Sequence, residues 1–297
     1  MRIPSWLCSL LTMVNVTAAM FVSIELAARI DLAEARLSAS LGRAIVAKHR
    51  QVDAFVEEIG AGVAIYTGPS SPMNKMIGVG FGPLPEDEQL QAIEEKFAAR
   101  GAVLQAEVST LADPAFAAWL SRRGYVLQGF EDVLGRTITR DDANPRINDA
   151  IEIAPMEESE GACWLDVAVT SFSSPDQQGV QAEALPPDEE LKRALQDFTL
   201  VPEFRRYFAR FHGKIAGVAT LRLDDRLAQF CGAATLPGFR RRGVQTALLL
   251  RRLADALDAG CQLALMTTQP GSKSEQNGYK QGFTLLYSRA RLVKHSF

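Results

Sequence analysis

The sequence predicts an α/β protein with a mixed α+β sheet, built from two copies of one arrangement in tandem. Three observations carry this. The order strands, helix, strand, helix, strand occurs twice, over residues 61–138 and 203–294. In both copies the last helix hands over to the last strand at a Gly–aromatic pair, Gly124-Tyr125 and Gly282-Phe283. Between the copies lies a polar stretch with one proline, residues 139–149, the best linker in the chain. A repeat of this period implies two copies of one fold rather than one large sheet, with a first domain over 1–144 and a second over 145–297.

Composition allows this. A chain of 297 residues is long enough for two domains with cores of their own. A net charge of −3 gives no general attraction to nucleic acid or to an anionic membrane, so neither is expected as a partner. The four cysteines, Cys8, Cys163, Cys231 and Cys261, form no CxxC. The three histidines are scattered, so no metal site is expected. Cys231 and Cys261 sit in strand-like runs as buried thiols, which fits a reducing compartment and a cytoplasmic location.

The N-terminus allows two readings. No charged side chain lies between Arg2 and Glu25, a length that spans a bilayer or serves as a signal peptide. Pro4, Ser5, Ser9, Asn15, Thr17 and Ser23 dilute that run. Leu26, Ile30, Ala33, Leu37 and Leu41 then recur at helical spacing, with Arg29, Asp31, Glu34 and Arg36 between them. The favoured reading is a core-packing helix behind a leader, with a start at Met13 or Met20 included. Membrane targeting is the alternative.

In the first copy, residues 61–68 and 74–82 read as strands around a PSSP turn. Residues 85–101 read as a helix with an acidic first turn and a stop at Gly101. A strand over 102–110 follows. A helix over 113–124 has an Asp cap and Pro in its first turn, and 125–138 is strand again. In the second copy a strand over 150–156 precedes a helix through 164–170, a loop, and a helix from about Pro187. Strands are expected over 203–213, 214–223 and 227–236, with turns at Gly213 and at Asp224-Asp225. A helix to Ala259 buries Val244, Ala247, Leu250, Ala254 and Leu257; a strand over 261–268, a helix over 272–282 and a strand over 283–294 complete the copy.

One turn carries chemistry. LPGFRRRGVQTALLL, residues 236–250, joins a strand to a helix. The first N–H groups of that helix are unpaired and, with the helix dipole, form an anion site. Arg240, Arg241 and Arg242 add charge, and Gly243 leaves the backbone approachable. Such a turn suits a pyrophosphate, although neither GxxxxGK[ST] nor GxGxxG is present.

This turn resembles the acetyl-CoA loop of the GNAT superfamily of N-acetyltransferases, R/Q-x-x-G-x-G/A. Arg240 and Gly243 match, Gln245 departs from the last position, and Pro237 fits the strand-to-loop junction. Downstream, Ser274, Asn277 and Gly282-Phe283 resemble the family's S-x-x-N-x-x-x-x-G-F segment. The resemblance covers the second half and implies a GNAT-like acyl-CoA fold there, with acetyl-CoA as co-substrate. Two central strands should splay apart, and the pantetheine arm should pair with Ala233, Ala234 and Thr235. The pyrophosphate should take the amides of Arg241, Arg242, Gly243, Val244, Gln245 and Thr246, with Ser274 and Asn277 near the pantetheine. The first half resembles a degenerate copy. At the equivalent helix start it has Pro83, Pro85, Glu86, Asp87 and Glu88, which remove donors and repel phosphate. That copy should form one wall of the acceptor site.

The activity implied is acetyl transfer from acetyl-CoA to a primary amine, of a small molecule, by direct attack. The strand before the loop offers Gln229, Cys231 and Thr235 and no general base. The family's acid is a tyrosine where this chain has Gly278; Tyr279, one place on, and Tyr287 on the last strand are the catalytic candidates. Cys231 reads as a core thiol. The alternative is a non-catalytic acyl-CoA sensor or scaffold. Asp176, Glu183 and Asp188 are placed to attract a cationic acceptor or simply to keep a loop solvated. A homodimer is compatible with the sequence.

Overall fold

A computed structural model of the protein describes residues 21–49, 53–69, 71–174, 180 and 188–295. It opens on α1 (Ile24–Lys48), capped by Ser23, whose hydroxyl accepts from the Leu26 N–H at 3.1 Å. The first copy continues β1 (Phe55–Ile59), β2 (Gly62–Tyr66), β3 (Lys75–Ile77), α2 (Asp87–Ala98), β4 (Leu104–Ser109), α3 (Pro114–Arg122) and β5 (Val126–Thr137). The second runs β6 (Ile151–Pro155), α4 (Gly161–Phe172), α5 (Asp188–Phe198), β7 (Phe204–Phe211), β8 (Lys214–Asp224), β9 (Leu227–Gln229), β10 (Ala233–Thr235), α6 (Val244–Asp258), β11 (Leu263–Thr268), α7 (Lys273–Lys280) and β12 (Thr284–Lys294). The expected strand over 227–236 is therefore two strands with a break. β1 went unforeseen because FVEEI carries two adjacent glutamates and no alternation; it is an edge strand. Among the described residues no helix is long and apolar enough to cross a membrane.

The strands form one 12-stranded sheet, in the order β1-β2-β3-β4-β12-β5-β11-β9-β8-β7-β6, with β10 paired to β8. This corrects the expectation of two separate sheets. The reason is an exchange of final strands. β12, from the second copy, pairs with β4 of the first, and β5, from the first, pairs with β11 of the second. β12 and β5 then pair antiparallel with each other at the join. The repeat survives in the order on each side: β3 runs parallel to β4 as β9 runs parallel to β11.

Helices cover both faces. α1 lays Ala27, Ile30 and Ala33 over the join, against Val133, Leu263, Leu265, Leu286 and Tyr287. On the same face α4 packs Trp164, Val167 and Ala168 against Phe208, Val218 and Ala234. α6 covers the opposite face, where Val244, Ala247 and Leu248 meet Tyr207, Ala209 and Ala216. In α6 the buried stripe includes Arg252, while Leu250 and Leu257 lie at its flank.

Under α1 a buried ionic network ties the copies together. Asp31 Oδ1 accepts from Tyr287 Oη at 2.6 Å and from Arg289 Nε at 2.9 Å. Lys75 Nζ lies 3.1 Å from Glu107 and 3.4 Å from Glu34. Glu34 accepts from Gln229 Nε2 at 3.3 Å, and Gln229 Oε1 accepts from Arg222 at 2.5 Å. Against the cost of burial, Glu107 and Glu34 hold the Lys75 ammonium above its ordinary range. Glu131 stands on the losing side: burial, then the Glu107 charge, push its carboxyl up to about 7 from 4.5. The folded chain binds more protons there than the unfolded chain, so stability falls as pH rises through that window. Glu131→Gln is expected to raise stability by about 2 kcal/mol at pH 8 and to change it little at pH 4, read from melting curves at both pH values.

Candidate functional site

β9 pairs with β11 from Leu227↔Leu263 to Gln229↔Leu265, and Phe230 N–H closes that ladder on the Leu265 carbonyl at 2.8 Å. At Gly232 the backbone is left-handed, φ +70°, and β10 leaves β11. The Gly232 carbonyl accepts from Thr220 N–H at 3.1 Å, and Leu236 N–H donates to the Ala216 carbonyl at 2.9 Å. Alternation along an antiparallel pair then turns Ala234 toward β8 and the N–H groups of Ala233 and Thr235 into the gap. The splay expected from the resemblance is present. Two of the three expected residues face it; Ala234 does not, because its backbone lies on the β8 side of the pairing.

Arg252, which the sequence reading missed, pins this break. From α6 it donates to the Thr220 carbonyl at 3.0 Å and the Gly232 carbonyl at 3.5 Å, and stacks 4.4 Å from the Phe230 ring centre. Burial works against its charge and lowers its pKa. An arginine at a helical position reads as solvated unless the tertiary neighbours are known.

The gap leads to the start of α6. Gly243 is its N-cap, with φ +86° and no side-chain cap. The first helical bond runs from Ala247 N–H to the Gly243 carbonyl, which leaves Val244, Gln245 and Thr246 N–H without helical acceptors. A Cβ at Gly243 would meet only Ile151 Cδ1, at 3.6 Å. Glycine is needed for the backbone turn rather than for space. Arg241 is also left-handed, φ +61°, and exposed; Arg242 is exposed and stacks 5.3 Å from the Phe211 ring centre. Arg240 differs from expectation. Its guanidinium donates to the carbonyls of Thr235 and Ser171, both at 3.3 Å, and to that of Ser174. It fastens the end of α4 to the loop, so its side chain is not spare for a phosphate.

At the equivalent point of the first copy, Glu86 caps α2 without a side-chain bond. Asp87 accepts from Trp119 Nε1 at 2.7 Å and Arg123 at 3.2 Å. Gly80, beyond β3, lies so close to α3 that a Cβ would come within 2.8 Å of Phe116 and 3.0 Å of Ala112. The helix start itself is exposed at Glu86, Asp87 and Glu88, so three carboxylates stand where the second copy has arginines.

On α7, Ser274 is exposed and Asn277 half-buried. Gly278 faces the sheet, where a Cβ would stand 2.9 Å from Met266 Sδ and 3.1 Å from Leu134 Cδ1, so a side chain there points into the sheet and displaces Met266. Tyr279 is rotated outward and donates to Glu275 Oε1 at 2.7 Å. Burial and that bond push its phenol up to about 12. Asp132, delivered by the exchanged β5, is within hydrogen-bonding reach of Glu275 and accepts from Ser288 Oγ at 2.5 Å. Tyr287 does not reach the gap. β12 lies two strands beyond β11, and its hydroxyl is spent on Asp31. Cys231 lies at the break with its Sγ 3.6 Å from the Gln229 carbonyl; burial, then the Glu34 charge, push the thiol up, so it stays protonated at neutral pH. Asp176 and Glu183 lie outside the described residues, as does the side chain of Asp188.

The stretch that holds the splayed strands and the uncapped helix start lies within residues 168–283, which match the acetyltransferase (GNAT) family. Residues 168–283 are a GNAT acetyltransferase domain. The likeness of fold extends beyond that domain to most of the chain. A GCN5-related N-acetyltransferase from Kribbella flavida is 19% identical, with a TM-score of 0.60 over 88% of this chain and 95% of that one. A tandem GNAT protein from the clavulanic acid biosynthesis pathway is 13% identical, with a TM-score of 0.57 over 90% and 94%. A conserved protein of unknown function from Staphylococcus epidermidis ATCC 12228 is 11% identical, with a TM-score of 0.52 over 80% and 86%. At these identities the likeness is one of fold, and the fold is that of GNAT domains in tandem. No curated protein matches the chain in sequence. In the GNAT domain the break between β9 and β10 and the start of α6 are the features suited to an acyl-CoA.

Proposed function

We propose that the GNAT domain transfers an acetyl group from acetyl-CoA to the primary amine of a small molecule by direct attack, with one cofactor per chain. The observation that carries this is the open edge of β10, with Ala233 and Thr235 N–H facing the gap, continuous with the uncapped N–H groups of Val244, Gln245 and Thr246. The edge would hold the pantetheine amides, and the helix start, with Arg241 and Arg242, the pyrophosphate. The acetyl thioester supplies the activated carbonyl. The protein's part is to orient it at the break and exclude water. Cys231, held protonated, is unsuited to a covalent acyl-enzyme, which favours direct attack. The first copy, with Asp87 engaged and Gly80 packed on α3, reads as degenerate.

Tyr279 is a weak acid in this setting. Its proton is committed to Glu275, and a phenol at about 12 gives up a proton less readily than a thiol does. Tyr279→Phe is therefore expected to slow turnover less than tenfold, measured as release of free CoA. Calorimetric titration of the full chain with acetyl-CoA is expected to give one site. At a hundred times the dissociation constant the melting transition should gain about 2.7 kcal/mol. Gly243→Asp, which forces a left-handed non-glycine and adds a carboxylate at the helix start, should abolish binding. Two sites, or unchanged affinity in Gly243→Asp, would sink the proposal. The engaged phenol also favours a second reading, an acyl-CoA sensor. Binding without thioester consumption across an amine panel distinguishes it.

A further inference from the structure

We propose that the acceptor is an amine with a largely apolar body, taken up in its neutral form by a cavity between α4, α5 and β10. This rests on the acyl-transfer reading above and narrows its substrate class. The cavity holds about 240 Å3 and is walled by Trp164 and Phe172 of α4, Leu191, Leu195 and Phe198 of α5, and Met73 from the first copy. Its floor is Gly232–Ala234, the segment where the sheet splays. Ala234 packs with the α4 side of the sheet and Ala233 against the α6 side. The cavity and the helix-start cradle therefore lie on opposite faces, with β10 between them. An acceptor on one side and a thioester entering from the other meet at the break.

The lining decides the chemistry. None of the described lining residues is charged. The indole N–H of Trp164 is already given to the Tyr207 carbonyl at 3.2 Å, and the Cys231 thiol is protonated. Among the described residues no carboxylate lines the cavity, so an ammonium group entering here would lose its water without a carboxylate partner from those walls. Such desolvation depresses an amine pKa and selects the neutral form. That supplies in part what a general base would do; among the described residues lining the cavity there is no base, and Glu34, whose charge reaches Cys231 at the break, has both oxygens engaged, by Lys75 and Gln229. In the step itself the amine lone pair attacks the thioester carbonyl. The C–N bond forms, the C–S bond breaks, and the proton leaving nitrogen ends on sulfur. By volume the cavity takes about eight heavy atoms, the size of a ring with a short arm.

The test uses the full chain saturated with acetyl-CoA at pH 7. 2-Phenylethylamine and 4-methylaniline are compared with putrescine and spermidine. Apolar amines are expected to exceed the polyamines at least a hundredfold in kcat/KM. Ala194→Trp, which fills the cavity from the half-buried α5 side, should cut the 2-phenylethylamine value at least fiftyfold while acetyl-CoA affinity is unchanged. Polyamines used as well as apolar amines would overturn the proposal. So would octanoyl-CoA outrunning acetyl-CoA tenfold in the native chain and not in Ala194→Trp, since the cavity would then hold the acyl chain. If acetyl-CoA binds and no amine is acetylated, the transfer reading fails, and the cavity is judged by titration of 2-phenylethylamine into the CoA-saturated chain. Binding lost in Ala194→Trp supports an apolar amine site; no binding overturns it.

Discussion

Deleting residues 284–297 is expected to unfold the first half of the chain together with the second. β12 is the neighbour of β4 over Leu104–Ser109 and of β5 over Val126–Gly135, so its loss leaves two long inner strands as raw edges. Leu286 and Tyr287, which close the core beneath α1, and Leu292, packed with the first copy's own core, leave with it. The same exchange predicts that residues 1–144 fail alone, because β5 would lose both β12 and β11. Far-UV circular dichroism with thermal melting reads both. The expected outcome is no cooperative transition in either truncated chain. A two-state melt in either would show that the copies do not depend on each other's last strand.

Arg289→Met is expected to cost about 3–5 kcal/mol, among the largest effects of any single substitution in this chain. Arg289 is 1% exposed and gives three hydrogen bonds to fully buried groups, two of them to Asp31 Oδ1. Without it Asp31, 0% exposed, keeps only the Tyr287 hydroxyl. Burial already raises the Asp31 pKa with the guanidinium present, so its removal makes the carboxylate costlier still. Asp31→Leu combined with Arg289→Met removes both charges and should recover most of the loss, because the cost lies in the unpaired ion rather than in the missing attraction. Urea unfolding of the single and double variants measures this. Equal loss in both would mean that packing at Arg289, and not charge, holds α1 to the join.

The charges buried under α1 were less visible in the sequence than the helix that carries them. That residues 24–48 form an amphipathic helix follows from the spacing of Leu26, Ile30, Ala33, Leu37 and Leu41. That its charged residues Asp31 and Glu34 point inward does not, since a charge between apolar positions reads as solvated until its partners are known. Those partners, Arg289, Tyr287 and Lys75, are contributed by β12 and β3, distant in sequence. Arg252 is the same case at the break, where the carbonyls it pins lie on β8 and beside β10.

The cradle was legible because its chemistry is local. A helix start, a glycine and neighbouring arginines lie within a few residues, and backbone donors follow from helix geometry wherever the helix is placed. The side chain of Arg240 was not legible: the carbonyls that claim it belong to the end of α4 and to β10, not to the loop. Tyr279 and Tyr287 looked equivalent as phenols, and only strand order and rotation about α7 separate them.

Local sequence was enough for most of the elements, the repeat and the glycine–arginine turn before α6, because periodicity, caps and turn residues act over a few positions. The tertiary structure alone decided that the repeats share one sheet. Either final strand has the alternation to pair beside β4 or β11, and the choice between its own copy and the other depends on burial summed over the whole join. The same holds for the apolar cavity. Its walls come from α4, α5 and the first copy, and no local pattern shows that these surfaces meet above the break in the sheet.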